Sequence, residues 1–199
     1  AGLLEEKFTD EYPNSLKAEY SYLQKKFNLK PLNKHLWKFL RIRPGNFPTI
    51  RLAQFAGLIY KSENLFSKVI ECNSAKELYS LFDAECSIYW FNHYVFDKET
   101  GEKSKKIGKS AIELLIINTM VPFLFTYGKA HESYKYIERS LEFLAQIPPE
   151  SNHIIKTFSD TGIKAENAMQ SQALIQCYNQ YCLKRKCLQC NVGNAVLKN

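Results

Sequence analysis

The sequence predicts an all-α fold, organised as a single compact multi-helix domain over residues 1–199. Apolar residues recur at steps of three and four along most of the chain, which is the period of an amphipathic helix. Only 8 Gly and 7 Pro interrupt the 199 residues. Residues 87–96 alone have the aromatic and β-branched composition of a strand. We therefore expect at most one short β-hairpin, between residues 88 and 107.

The first predicted helix has Leu16, Tyr20, Leu23 and Phe27 on one face. Asn14 precedes this face and is a residue type that favours the N-cap position. The pattern therefore predicts a helix that begins close to Asn14.

Four further helices are predicted before residue 83. Residues 36–40 predict a compact helix, which a loop with two prolines and a glycine ends. Leu52, Phe55 and Ile59 mark the next helix. Residues 62–82 predict two short helices, and the second opens with Ser74-Ala-Lys-Glu77, the spacing of a capping box.

The β-prone run at residues 87–96 also has the pattern of a buried helix. A helix is favoured here, because no other segment offers a clear strand to pair with it. The polar, lysine-rich residues 97–109 predict a surface loop.

The longest apolar run covers residues 111–127 and predicts a core helix that is too short and too polar to span a bilayer. Ser110 and Glu113 have capping-box spacing, and Pro122 predicts a kink. We expect this helix to be buried on most sides, with Asn118 hydrogen-bonded inside. Further helices are predicted at residues 130–146, 151–160 and 165–181.

The last helix leads into a cysteine-containing tail, residues 177–199. Cys187 and Cys190 have the Cys-x-x-Cys spacing that directs two thiolates towards one tetrahedral metal ion, and Cys182 can supply a third ligand. Cys177 lies upstream as one source of a fourth ligand. The spacing leaves three interpretations open: a zinc site, inert reduced thiols, and a redox pair.

Arg41, Arg43 and Arg51 flank a loop that Pro44 and Pro48 stiffen. Arginines at the entry to a helix are suited to binding an anion. The alternative is a scaffold loop whose arginines are buried against carboxylates or carbonyl groups, and the pattern favours this scaffold role narrowly.

Composition narrows the classes of function. The formal net charge of +7 is compatible with a polyanionic partner such as nucleic acid. No nucleotide-binding or hydrolase motif and no paired acid and base are recognisable, so the sequence identifies no catalytic residues. No secretory leader is recognisable, and three of the six cysteines crowd into the last eighteen residues. We expect a cytoplasmic protein that does not enter a membrane.

Three segments carry a resemblance to a known family: RPGNFPTIRLAQFAGLI, IINTMVPFLFTYG and SQALIQCYNQYCLKRKCLQCNVGNAVL, in that order. With them the chain resembles the bacterial, mostly Bacteroidetes, domain-of-unknown-function family 2851, and specifically its C-terminal portion. Arg43, Asn46, Arg51, Asn118 and Pro122 fall on residues of the family pattern. The resemblance implies that this chain is the C-terminal fragment of a longer protein, and it supplies no activity.

Three hypotheses about function follow. The first is a structural or interaction domain that supports an absent N-terminal region of the same protein. The second is a nucleic-acid-associated module of a nuclease-like protein, based on the net charge and the arginine loop. The third is a thiol or zinc-binding domain, based on Cys182, Cys187 and Cys190.

Overall fold

The computed structural model describes residues 2–197. Within that range the chain is mainly helical, with one two-stranded antiparallel sheet. This confirms the predicted all-α class with a short hairpin. The chain divides into two compact units, the first from Ala1–Leu65 and Leu81–Gly108 and the second from Phe66–Ser80 and Lys109–Asn199. A single domain over residues 1–199 stays a prediction.

The elements follow one another in chain order. The helices are α1 (Glu11–Phe27), α2 (Pro48–Ser62), α3 (Leu65–Glu71), α4 (Ala75–Phe82), α5 (Lys109–Leu115), α6 (Val121–Ala130), α7 (Tyr134–Gln146), α8 (His153–Asp160), α9 (Ala168–Cys177) and α10 (Asn191–Leu197). The strands are β1 (His93–Val95) and β2 (Lys98–Glu99). Single π-helical turns join α5 to α6 (Ile116–Met120) and follow α9 (Tyr178–Cys182).

Helix α1 begins earlier than predicted. Its N-cap position is Asp10, and the side chain of Asn14 instead donates hydrogen bonds to the carbonyl oxygens of Phe8 (3.0 Å) and Asp10 (2.8 Å). The prediction of an N-terminus at Asn14 is therefore wrong, because this amide bonds to the chain that enters the helix.

Two helices predicted in the first unit are not formed. Residues 36–40 contain only the end of a 3₁₀ turn, Lys34–Leu36. Residues 87–96 form a 3₁₀ turn, Ile88–Phe91, followed by β1, so the preference for a helix here was wrong. The pairing strand that the sequence does not reveal is β2, which places Val95 opposite Lys98.

One of the two predicted capping boxes is formed. At the start of α4, the hydroxyl of Ser74 accepts the N–H of Glu77 (3.3 Å), and the Glu77 carboxylate accepts the N–H of Asn73 (2.9 Å). The box at Ser110 is not formed, because α5 already begins at Lys109.

Helix α5, its π turn and α6 form one helical stretch of 22 residues, Lys109–Ala130, which is long and apolar enough to cross a membrane. Core helices of soluble proteins share this property. The π turn lies directly before Pro122, where a ring without an N–H interrupts the helical hydrogen bonding. Asn118 is exposed and donates to the Leu114 carbonyl of its own helix (3.0 Å), so its predicted burial is wrong.

The two units differ in how well they cover their apolar residues. Of the described hydrophobic residues that are buried, fourteen belong to the second unit and six to the first. The core of the second unit includes Leu124 and Phe143, both fully buried. The first unit leaves fourteen large hydrophobic side chains exposed. A small core and a large exposed apolar surface therefore characterise the first unit.

Candidate functional site

The first unit has an open, mostly apolar groove of about 440 Å³. Leu16 of α1 and Leu52 of α2 line it, and Trp90 and Phe96 contribute aromatic surface. Residues 2–5 also line it, together with the polar side chains of Lys17 and Gln24. We call this feature the apolar groove.

The apolar groove follows from the side chains on α1 and α2. Tyr12, Leu16 and Tyr20 occupy successive turns of α1 at four-residue spacing, which places them on one face. On α2, the positions that face the groove include Ala53 and Ala56, whose small side chains leave space between the helices. The sequence therefore builds two apolar walls without the bulk to fill the space between them.

The apolar groove is accessible to solvent. Leu16 and Leu52 are each 36% exposed, and Pro13 is the only described residue of α1 that is buried. A helix of 17 residues with so little of its apolar face covered is unusual in a folded monomer, because burial of that face normally provides most of the stability of a helix.

The first unit contains a long segment that is rich in basic residues. Between Glu19 and Glu63 the sequence contains no acidic residue. The same segment contains nine basic residues, all exposed: Lys25, Lys26, Lys30, Lys34, Lys38, Arg41, Arg43, Arg51 and Lys61. Of these nine described residues, only Lys34 forms an ion pair, with Glu6. We call residues 20–62 the acid-free segment. The absence of acidic residues is visible in the sequence, but an analysis of periodicity and motifs does not detect it.

The arginine loop lies in the acid-free segment and is exposed. Arg41, Arg43 and Arg51 are exposed, so the expectation that they are buried in a scaffold is wrong. The guanidinium group of Arg51 donates to the side-chain oxygens of Asn46 (2.6 Å) and Gln54 (2.9 Å), which are neutral. Anion binding by these arginines stays a prediction.

A polar network that sequence analysis missed connects the hairpin to the start of α1. The hydroxyl of Tyr89 donates to the carboxylate of Asp10 (2.7 Å), and the Asp97 carboxylate accepts the backbone N–H of Thr9. Burial, followed by the bond to Asp10, raises the pKa of Tyr89 well above its usual range. His93 stacks on Tyr89 with ring centroids 4.0 Å apart. The Nε2 atom of His93 is buried without a hydrogen-bond partner among the described residues, and the carboxylate of Asp10 lies 3.4 Å from it.

The two sulfurs that lie closest to each other in the cysteine tail are not those of the predicted Cys-x-x-Cys pair. The sulfur of Cys190 lies 3.9 Å from that of Cys177, whereas Cys187 is exposed at the start of a 3₁₀ turn. Cys182 is also exposed, and its thiol interacts with Cys177. The close pair of sulfurs is therefore Cys177 with Cys190, and not Cys187 with Cys190 as the Cys-x-x-Cys spacing predicts.

The two close thiols differ in acidity. Burial, followed by the neighbouring thiols of Cys190 and Cys182, raises the pKa of Cys177 to about 11. The backbone N–H groups of Gly193 and Val192 donate to the sulfur of Cys190 and lower its pKa.

No group of three or more His, Cys, Asp or Glu side chains in residues 2–197 is arranged to hold a metal ion. The predicted zinc site of Cys182, Cys187 and Cys190 is therefore not confirmed. Catalytic residues also stay unassigned.

Comparison with known proteins identifies the family. No curated protein and no solved structure matches the chain. A family described as "Protein of unknown function (DUF2851)" matches residues 1–153, about three quarters of the chain. Two of the three segments that carry the resemblance lie in the matched range, and the cysteine tail lies beyond it. The chain therefore belongs to the DUF2851 family, whose function is unknown.

Proposed function

We propose that this chain is an interaction domain whose first unit binds an N-terminal region of the same protein in the apolar groove. The observation that carries this proposal is the imbalance in the first unit, which exposes fourteen large hydrophobic side chains and buries six hydrophobic residues. Large exposed apolar surfaces are typical of protein–protein contacts.

The amount of surface supports the same proposal. The chain exposes 13825 Å². Two compact proteins of half its mass, kept fully apart, would expose about 11,600 Å² together. The difference, about 2,200 Å², exceeds the roughly 800 Å² that one partner buries in a protein–protein interface of standard size.

Energetics favour a covered groove. Complete burial of a leucine side chain stabilises a structure by about 1.5–3 kcal/mol relative to full exposure. Leu16 and Leu52 realise only part of this contribution. A partner that covers both leucine side chains provides the rest of this stabilising free energy, and it also stabilises α1.

Charge indicates the chemistry of the partner. The apolar groove lies in a unit whose acid-free segment carries nine exposed basic side chains. An amphipathic segment with apolar anchors and flanking Asp or Glu residues complements both features. The exposed aliphatic side chain of Leu52, which belongs to this segment and lines the groove, favours a protein partner over a sugar–phosphate backbone, because a protein can cover it.

Hydrogen exchange tests the proposal. The amides of α1 and α2 are measured in this chain and in the longer natural protein that includes the N-terminal region. We expect slower exchange in both helices in the longer protein, and unchanged exchange in α7 of the second unit. Equal exchange of α1 and α2 in the two proteins would contradict the proposal.

Charged substitutions then localise the contact. We expect Leu16→Glu and Leu52→Glu to abolish binding of the separately produced N-terminal region, measured by calorimetry. Leu40→Glu is the matched control, because Leu40 lies in the same unit, is 86% exposed and does not line the groove. Equal loss with all three variants would argue against the groove as the contact.

A second candidate function is nucleic-acid binding by the arginine loop. The observation that favours it is the exposure of Arg41, Arg43 and Arg51 in a segment without carboxylates. Binding of a fluorescent oligonucleotide should then fall steeply with salt, because contacts to phosphates release counterions. Arg41→Gln with Arg43→Gln should reduce that slope by about 1–2.

The matched control for this experiment is Lys156→Gln with Lys164→Gln, which removes the same charge from exposed positions of the second unit. A slope that changes equally in both double variants would indicate nonspecific attraction. Absence of binding at low salt would exclude the second candidate.

A further inference from the structure

The strongest feature outside the apolar groove is the contact between Cys177 and Cys190 in the tail. Cys177 is the last residue of α9, and Cys190 directly precedes α10. Their sulfurs lie 3.9 Å apart in a part-buried position. All six cysteines are free.

The backbone around Cys190 is held in place. Its carbonyl oxygen accepts the N–H of Asn194 (2.8 Å), and the Asn194 side chain donates to the carbonyl oxygen of Leu188 (3.0 Å). Gly193 packs directly against the carbonyl group of Cys187, where a Cβ atom would collide with it. These contacts keep Cys190 facing Cys177.

We propose that Cys177 and Cys190 form a reversible redox site, in which a hydroperoxide converts the two thiols into an intrachain disulfide. The sulfur of Cys190 attacks one peroxide oxygen, the O–O bond breaks, and the product is the Cys190 sulfenic acid with one water molecule or alcohol. The Cys177 thiol then attacks that sulfur, the S–O bond breaks, and water leaves. The peroxide is reduced by two electrons, and the two thiols lose two electrons and two protons.

The geometry makes this pairing specific. A disulfide bond is about 2.05 Å long, so the sulfurs must approach by about 1.9 Å, which is within the range of side-chain rotation. Cys187 makes no contact with another thiol among the described residues. Cys182 is exposed beside Cys177, so it offers an external thiol reductant a route to the disulfide by thiol–disulfide exchange.

The positions of the basic residues allow the disulfide to be detected by tryptic digestion and mass spectrometry. Trypsin cuts at Lys184, Arg185 and Lys186, which separates a peptide with Cys177 and Cys182 from a peptide with Cys187 and Cys190. After treatment of the intact chain with stoichiometric hydrogen peroxide, we expect an intact mass lower by about 2 Da. We also expect the two peptides to be linked through Cys177 and Cys190, and separated again by glutathione.

Three results would overturn the proposal. The first is a link that involves Cys187, and the second is a stable zinc ion that keeps the tail thiols unreactive. The third is an unlinked product with Cys190 oxidised beyond the sulfenic acid. Cys187→Ser should form the link as the wild type does, whereas Cys177→Ser should lose it while its circular dichroism spectrum is unchanged. A link that persists in Cys177→Ser would also contradict the proposal.

Discussion

The carboxylate of Asp97 accepts the backbone N–H of Thr9 at 2.7 Å, across 88 positions of the chain. A second bond, from the N–H of Asp10 (3.0 Å), reaches the same carboxylate. Asp97 adopts a left-handed conformation with φ of 56°, which suits the tight turn between β1 and β2. One residue therefore forms part of the hairpin turn and anchors the start of α1.

This anchor predicts a pH dependence of stability. Burial opposes the charge of Asp97, but the N–H groups of Thr9 and Asp10 outweigh it and lower the pKa of the carboxyl group. A carboxyl group with a lower pKa in the folded state stabilises the protein above its unfolded pKa of about 3.9, and this contribution is lost as the pH falls through the folded value. We expect Asp97→Asn to flatten the acid side of the stability curve, measured by thermal melting.

The asparagine substitution separates charge from geometry, because asparagine tolerates the left-handed conformation and keeps one acceptor oxygen. Glu102→Gln is the control, since no described residue bonds to that carboxylate. An acid limb of equal steepness in wild type and Asp97→Asn would contradict the role of Asp97.

Arg139 provides a second prediction. Its buried guanidinium group donates to the carbonyl oxygens of Ile70 (2.7 Å) and Cys72 (3.2 Å), at the end of α3. Arg139→Met should leave these carbonyl groups unpaired and lower the free energy of unfolding by about 1–3 kcal/mol. Lys135→Met on the same helix is exposed and should change it by less than about 0.5 kcal/mol. Similar unfolding midpoints in urea for both variants would refute this capping role.

A third prediction concerns the core of the second unit. Leu124 is fully buried, whereas Leu114 on the same helical stretch is 49% exposed. We expect Leu124→Ala to cost about 2–5 kcal/mol through lost contacts and a cavity. Leu114→Ala should cost well under about 1 kcal/mol. Urea unfolding of the two variants measures the difference, and equal losses would show that the two sides of the stretch are equally covered.

A fourth prediction follows from Asn118. Its exposed amide bonds only to its own helix. Asn118→Leu should therefore change the free energy of unfolding by less than about 0.5 kcal/mol. A loss of more than about 1 kcal/mol in thermal melting would indicate a buried partner for this amide.

Local patterns in the sequence predicted the fold well where the interaction was local. The capping box of Ser74 and Glu77 involves neighbours in sequence, so residue types alone identify it. The box at Ser110 is not formed because α5 begins one residue earlier, and Glu113 instead accepts a hydrogen bond from Tyr79 (2.9 Å). That contact spans 34 positions, and spacing carries no information about it.

The candidate sites were less predictable for the same reason. Spacing favoured Cys187 with Cys190, but the structure brings Cys177 and Cys190 together. The exposure of Arg43 depends on what packs near the loop, which a motif does not record. The acid-free segment was readable from the sequence, because a gap in acidic residues is a property of composition.

The π turns at Ile116–Met120 and Tyr178–Cys182 have a consequence for the history of this family. A π turn accommodates one additional residue within an α-helix. Homologues without that residue would continue as regular helix, and their alignment with this chain would show a single-residue gap inside a helix. Such gaps at residues 116–120 or 178–182 would identify the relatives that lack the additional residue. In those relatives, the side chains after the gap would be rotated about the helix axis by about 100° relative to those of this chain.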